Sequence, residues 1–381
     1  MRLEIHNDPC AIAGAWHALE GTGFGTLFQS YAWVSTWCRT AARDLGEEPV
    51  FPIWYKDDGS AAIIWPMAIT TWRGSRVLTW LGQGYTNYNM GLYHSDIAGE
   101  IDAGFMRQAV AEIGARLPAV SALHLTDQPL AWNGQPNPFA KLPHQPSANV
   151  SFEMTLQEDP NALIRSALSN STRRSLERLE RRLKERGVAE FGIAEGLEQR
   201  QEVFSAFMRQ RAAQFEKMNV ANHFSHPAIR AFYKELFMQQ SGAPFESAFL
   251  KFGGKIVATS NGMKFQDRFY HLTLSMSLEG GESLSPGRLL SREQVAHQCR
   301  QKIAVFDFGP GTGRHKEAWH PRPLAYMETY LPLRRSGAVI TVLRSATARG
   351  NAMILSSPSM QRAISAMKKA RRKLSLLYAG K

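Results

Sequence analysis

Residues 246–276 read ESAFLKFGGKIVATSNGMKFQDRFYHLTLSM, three runs rich in aromatic and β-branched residues, 246–252, 256–265 and 268–276, parted by Gly253-Gly254 and Asp267. Runs of that length punctuated by turn residues spell an antiparallel meander. Outward toward the C-terminus, the pattern gives a helix over 287–301, a strand over 303–308, a short helix near 314–319 and a strand over 324–332. In the other direction come helices over 226–240 and 198–215. Before those lies one long helix from about Pro160 to Arg186, stopped by Gly187, and a strand over 150–155. The order is helices, meander, helix, returning strand: one α/β unit.

The earlier residues spell a second unit. Trp33 and Trp37 stand four apart, on one face of a helix. Strand-like runs follow at Val50 to Tyr55, Ala61 to Thr70 and Val77 to Leu81, then a helix over 102–116 and a strand over 121–126. The stretch 128–147, rich in Pro, Asn and Gln, reads as a long connection. A chain of 381 residues suits two domains of about 150 residues and an appendage. The divisions are 1–149, 150–333 and a tail, 334–381.

The chain's net charge of +12 is misleading until it is located. Residues 331–381 hold 11 Lys or Arg and no acid, and the tail's +11 set against the chain's +12 leaves +1 on residues 1–330. A near-neutral body lacks the field that draws polyanions, so nucleic acid is not an expected partner. In the tail, a helix over Ser359 to Tyr378 sets Met360, Ile364, Met367, Leu374 and Leu377 along one side, with five Lys or Arg beside them from 368 to 373. That pattern suits contact with a membrane surface, a helix docked on the body, or a solubilising tail. Met1 to Ile5 does not open a secretory signal, and no apolar run approaches the ~20 residues that span a bilayer. The expected location is the cytoplasm, with contact at the inner membrane face. Cys10, Cys38 and Cys299 are scattered, and His315 and His320 are five apart, so neither a disulfide framework nor a metal site is expected. The glycines at 309, 311 and 313 satisfy no nucleotide-binding pattern.

Asp307-Phe308-Gly309, followed by Lys316 and Trp319, closes the second unit. With Phe28, Trp33 and Trp37, with Ile256-Val257-Ala258 after a glycine turn, and with Ser285-Pro286-Gly287 before a helix, it resembles the GNAT-like family typified by CelD proteins of cellulose and polysaccharide biosynthesis. The likeness runs over roughly residues 25–330, with His315 where that family usually has Tyr. More distantly the chain is similar to Fem-type aminoacyltransferases. The resemblance implies an α/β (α+β) fold of two tandem GNAT-like domains, each a mixed, largely antiparallel sheet flanked by helices. It implies an N-acyltransferase that takes acyl-CoA, acetyl-CoA among the options, as co-substrate without a metal, and acylates an amine of a sugar or glycan precursor in cell-envelope biosynthesis. A Fem-like transferase using aminoacyl-tRNA and a non-catalytic partner of a polysaccharide synthase are the alternatives.

Acyl transfer needs a group to take the ammonium proton, donors for the oxyanion, and a cradle for the pyrophosphate. His271, on a strand, is a candidate base because imidazole as a group titrates near neutrality, with Tyr270 beside it as a substrate contact. Alternation sends His271, Thr273 and Ser275 to one strand face. Asp307 ends the next strand and can orient an amine or hydroxyl, or serve as a turn residue. Lys316 is a point charge for a carbonyl or phosphate. Ser285, Gly287 and Arg288 open the helix at which GNAT proteins hold pyrophosphate, although the turn carries Glu279 and Glu282 rather than the family's Arg/Gln-x-x-Gly-x-Gly/Ala loop. Arg211 and His315 complete the candidate substrate contacts.

Overall fold

The computed structural model describes residues 1–186, 189–239, 244–278, 286–311 and 313–356. The turn 279–285, with Ser285 in it, and the helix expected over 359–378 lie outside the described residues.

The first half contributes strands β1 (Arg2–His6), β2 (Gly23–Phe24), β3 (Glu48–Tyr55), β4 (Ala61–Ile64), β5 (Met67–Trp72), β6 (Ser75–Trp80), β7 (Leu92–His94), β8 (Ala122–Pro129), β9 (Ala131–Trp132) and β10 (Gln135–Pro136). Its helices are α1 (Ala13–Thr22), α2 (Tyr31–Trp37), α3 (Ser95–Ala98) and α4 (Ala103–Arg116). The second half adds β11 (Gln145–Thr155), β12 (Ala189–Ile193), β13 (Phe245–Phe252), β14 (Lys255–Phe265), β15 (Arg268–Met276), β16 (Val305–Pro310) and β17 (Arg322–Pro332). Helices α5 (Pro160–Ala167), α6 (Asn170–Arg186), α7 (Gly196–Met218), α8 (Pro227–Phe237), α9 (Pro286–Arg300), α10 (Arg314–Glu317) and α11 (Gly337–Ser356) accompany them.

Among the described residues fifteen strands form one sheet, in the order β12-β13-β14-β15-β16-β11-β17-β8-β6-β5-β3-β4-β7-β2, with β1 on β3. Pairing is antiparallel except at β6–β8 and β15–β16. The connection within each parallel pair carries one long helix, α4 in the first half, after β7 and the short α3, and α9 in the second, so the halves share a plan of meander, helix and parallel strand. That is the mixed, helix-flanked sheet expected. The join between the halves is a strand: β17 lies between β11 and β8.

Three expectations are corrected. The run Ala61 to Thr70 breaks at Trp65-Pro66, because proline has no N–H for the ladder; both pieces still face β3, with β7 beside β4 and β6 beside β5. The single helix 160–186 is two: Leu168 takes an extended conformation, and Ser169 Oγ accepts the Thr172 N–H at 3.2 Å, starting α6 afresh. The connection 128–147 holds the β9–β10 hairpin, and β11 opens at Gln145, so position 149/150 falls inside a strand.

The core does not respect the halves either. Ser30 caps α2 through the Trp33 N–H, and α2 buries Trp33 and Trp37, each meeting Phe232 of α8 edge-on at 4.9 and 5.0 Å. Phe28 and Trp132 reach Tyr270 of β15 at 5.9 and 6.2 Å.

Candidate functional site

Parallel β15 and β16 are in register at Arg268↔Val305, Phe269↔Phe306 and Tyr270↔Asp307. Beyond that pair the two strands no longer bond to each other, although β15 runs on to Met276 against β14 and β16 to Pro310 against β11. A bulge causes part of this: Gly262 faces His271 and Asn261 faces Thr273, leaving Leu272 extra. The expected common face of His271, Thr273 and Ser275 is therefore broken. The His271 ring lies 5.9 Å from Phe306, in the core layer that also holds Val295 of α9. Thr273 and Ser275 turn toward α7, where Asn261 Nδ2 donates to Thr273 Oγ1 at 3.0 Å and Ser275 Oγ to Gln210 Oε1 at 2.7 Å. Gln210, Ser277 and Leu278 then line a cavity of about 670 Å³ at the end of β15, together with Arg209, Glu202 and Lys255.

Asp307 sits under the end of the registered pair, 1% exposed. Its Oδ1 accepts from Tyr88 Oη at 2.9 Å and from the Gly309 N–H at 2.7 Å, and its Oδ2 lies 3.4 Å from the Arg268 guanidinium. Burial pushes this carboxyl up to about 6, against the pull of Arg268. Arg268 also pairs with Glu153, donates to Asn133 Oδ1 at 2.9 Å and stacks 4.3 Å above Trp132. Burial opposes the Glu153 charge, yet Arg268 and Arg322 together hold that carboxyl below its usual range. Tyr270, fully enclosed by aromatic rings, is pushed far up by burial and keeps its proton. Asp307 and Tyr270 are thus parts of a buried lock between the halves.

Gly309 has φ +70°, and a Cβ there would stand 3.1 Å from Asn87 Nδ2, so the strand end passes close under the loop before β7. Lys316 Nζ, 9% exposed in residue terms, donates to the Gly309, Pro310 and Gly311 carbonyls at 3.1, 2.7 and 3.2 Å. Burial pulls its ammonium down to about 8, with Asp307 opposing. All three of its hydrogens serve the main chain, so this lysine shapes the strand end rather than reaching outward.

Gly287 lies in the first turn of α9, where a Cβ would meet Leu274 and Met276 of β15 at 3.6 Å, and Arg288 follows it half-buried. Arg211 lies apart, on α7, stacked 4.6 Å over Phe215 and 5.3 Å over Phe224, and burial lowers its pKa. His315 belongs to α10, but its side chain is outside the described residues. Tyr270, Asp307 and Lys316 therefore lie at the end of the β15–β16 pair, His271 follows on β15 but turns to the Phe306 layer, Gly287 and Arg288 stand further along β15, and Arg211 lies apart on α7. Sequence reasoning missed Tyr88, Arg268, Glu153 and Gln210. The alternation of Thr259 with Asn261 and of Thr273 with Ser275 was the available signal for Gln210. Among the described residues no group of three or more His, Cys, Asp or Glu could hold a metal.

Residues 170–317, from the start of α6 to the end of α10, match the family model described as acetyltransferase (GNAT) domain. No curated protein matches the chain. Solved structures similar to it include that of FemX, at 10% identity and TM-score 0.59, covering 86% of this chain and 97% of that one. A conserved protein of unknown function from Bacteroides thetaiotaomicron gives 10% and 0.55, over 87% and 100%. The C-terminal domain of a putative lysylphosphatidylglycerol synthetase from Agrobacterium fabrum gives 11% and 0.51, over 89% and 96%. At such identities the likeness is one of fold, and it takes in both halves. With the β15–β16 pair, α9 and Lys316 all inside the matched stretch, the second half of the chain is similar to an acetyltransferase (GNAT) domain.

Proposed function

We propose that this chain is an N-acyltransferase that moves an acyl group from acyl-CoA to an amine of a sugar or cell-envelope precursor. One observation carries the reading: β15 and β16 stop pairing after Tyr270↔Asp307 while both strands continue, and β15 runs on to the first turn of α9, where Gly287 stands against Leu274 and Met276. Main-chain groups released from a ladder can take an extended amide arm as an added strand. A helix's first turn offers N–H groups without intrahelical partners to an anion. Gly287 and Arg288 would hold the pyrophosphate there, since glycine leaves the main chain bare. Acyl-CoA supplies the activated thioester carbonyl. His271, next after the last registered pair, takes the proton of the attacking amine as the C–N bond forms and the C–S bond breaks. Asp307 and Lys316 fix the strand end by holding the Gly309 N–H and the 309–311 carbonyls. The acceptor class rests on the CelD resemblance.

Calorimetric titration with acetyl-CoA and longer acyl-CoAs tests this: saturable binding that Gly287→Glu abolishes is expected, and no binding by any acyl-CoA overturns the reading. His271→Ala is expected to lower kcat about a hundredfold or more with little change in KM. A specific feature favours an aminoacyl-tRNA donor as second reading. Arg165, Arg173, Arg292 and Arg300 line a groove of about 500 Å³ between α5, α6 and α9 together with Glu177 and Glu293, and although Arg292 pairs with Glu180 and Glu293 the cations outnumber the lining carboxylates, which suits phosphates despite the near-neutral body. Titration with charged tRNA, with binding that falls steeply as salt rises, distinguishes it. A chain that binds neither donor would be the silent synthase partner.

A further inference from the structure

Helix α11 is fixed to the sheet along one side only. It starts where Gly337 passes so close to β8 that a Cβ would stand 1.9 Å from the Ser121 carbonyl oxygen. Arg344 stacks over Trp72 and Tyr330 at 5.7 and 5.8 Å. Ser345 Oγ and Arg349 Nε both donate to Gln145 Oε1, at 2.6 and 3.0 Å. The opposite side carries Val339, Val342 and Leu343, which are 68%, 67% and 43% exposed. Their spacing, i, i+3 and i+4, makes one ridge, and Ala346 extends it. Nine large apolar side chains are exposed among the described residues, and three of them are here.

The charge on the ridge's own segment has one sign, the carboxylates of Asp127 and Glu328 lying near Arg344 on the sheet side. No Asp or Glu follows Glu328 in the sequence, Arg334, Arg335 and Arg349 are exposed on or beside the helix, and five of the six residues from Lys368 to Lys373 are basic. Among the described residues no helix is long and apolar enough to cross a bilayer. An apolar ridge flanked by cations, with no acid on its own segment, suits a surface whose charge is negative and whose interior is apolar. A protein partner would place acidic residues against those cations but would not require the same C-terminal segment to carry a further basic run at 368–373. We infer that α11 seats the chain on the face of an anionic lipid bilayer: Val339, Val342 and Leu343 enter the headgroup boundary, and the basic segment that follows provides the attraction.

Flotation of the full chain with vesicles of phosphatidylcholine alone, and of phosphatidylcholine mixed with phosphatidylglycerol, tests the inference. Binding to the mixed vesicles only, weakened by added salt, is expected. Val339→Ser, Val342→Ser and Leu343→Ser combined change only exposed side chains; they should leave the thermal melt in place and lower the partition at least about tenfold. Lys368→Glu with Arg371→Glu should do the same through charge. Three results overturn it. These are equal binding to neutral vesicles, loss of binding in the charge variant with none in the serine variant, and no binding to either vesicle. If the last comes with a concentration-dependent dimer that the serine variant separates, the ridge belongs between copies of this chain. None of these outcomes bears on acyl-CoA binding, which is read separately.

Discussion

All three Nζ hydrogens of Lys316 reach main-chain carbonyls, so its removal is a structural event before it is a catalytic one. Lys316→Ala is expected to cost about 2 kcal/mol, the scale of buried acceptors losing charged donors. Chemical denaturation measures it; a variant with an unchanged midpoint and no activity would instead place the lysine on substrate. Asp307 gives a pH signature. Its carboxyl is higher in the folded protein than its ordinary 3.8, so it binds its proton more tightly when folded. Its contribution is therefore complete below pH 3.8 and lost as pH rises through about 6. Raising a carboxyl from 3.8 to about 6 corresponds to about 3 kcal/mol. Asp307→Asn should flatten the stability profile over that interval, followed by urea midpoints. Both residues were legible as candidates, because a polar residue at a strand end and a lysine after glycines stand out in a sequence. The distant partners were not: Tyr88 arrives from a loop of the first half and Arg268 from β15, and nothing local to Asp307 announces that a hydrogen bond to it will be made across the halves.

The elements were read well where periodicity governs them and poorly where a single residue interrupts it. The meander, α9, β16 and β17 fall within a few residues of expectation, whereas the bulge at Leu272 is invisible to an alternation count and reverses which side His271 faces. Gly262 maintains that bulge. A Cβ there would lie 2.2 Å from the Phe269 ring and 2.6 Å from the Tyr270 carbonyl oxygen. Gly262→Ala is thus expected to destabilise by about 1–3 kcal/mol and to impair activity with it, seen together in melts and turnover. Helix α9 is pinned to β13 by Glu246, which accepts from Gln294 and Gln298 at 2.7 and 2.6 Å and faces Lys264 and His297. Burial works against that charge, but His297 and Lys264 outweigh it and hold the carboxyl at about 2. The contribution is present above its usual 4.5 and lost as pH falls toward 2, the opposite sign to Asp307. Glu246→Gln should reduce stability at neutral pH and remove this acid-limb loss.

At the scale of the molecule the question is whether the halves are separable. Trp33 and Trp37 of α2 pack on Phe232, Tyr88 bonds Asp307, and β17 pairs with β8, so core, polar lock and sheet all cross between them. One unfolding transition is expected, with calorimetric and van't Hoff enthalpies equal. Trp33→Ala should lower that whole transition by about 3–5 kcal/mol rather than split it. The repetition of plan was legible only as two similar orders of elements, since no repeated residues mark it. The strand that ties them was read as the end of the second unit, because sequence order says nothing about which edge a strand will join.

That tie has a consequence during synthesis. Arg322 follows Pro129 by 193 residues, so the edge of β8 that β17 will cover waits bare on the nascent chain. At ribosomal speeds of about 5–20 residues per second the wait lasts roughly 10 to 40 s. Throughout it the first half offers an unpaired strand to any neighbour, and a chaperone that shields this edge until translation passes Pro332 would raise the yield of folded protein.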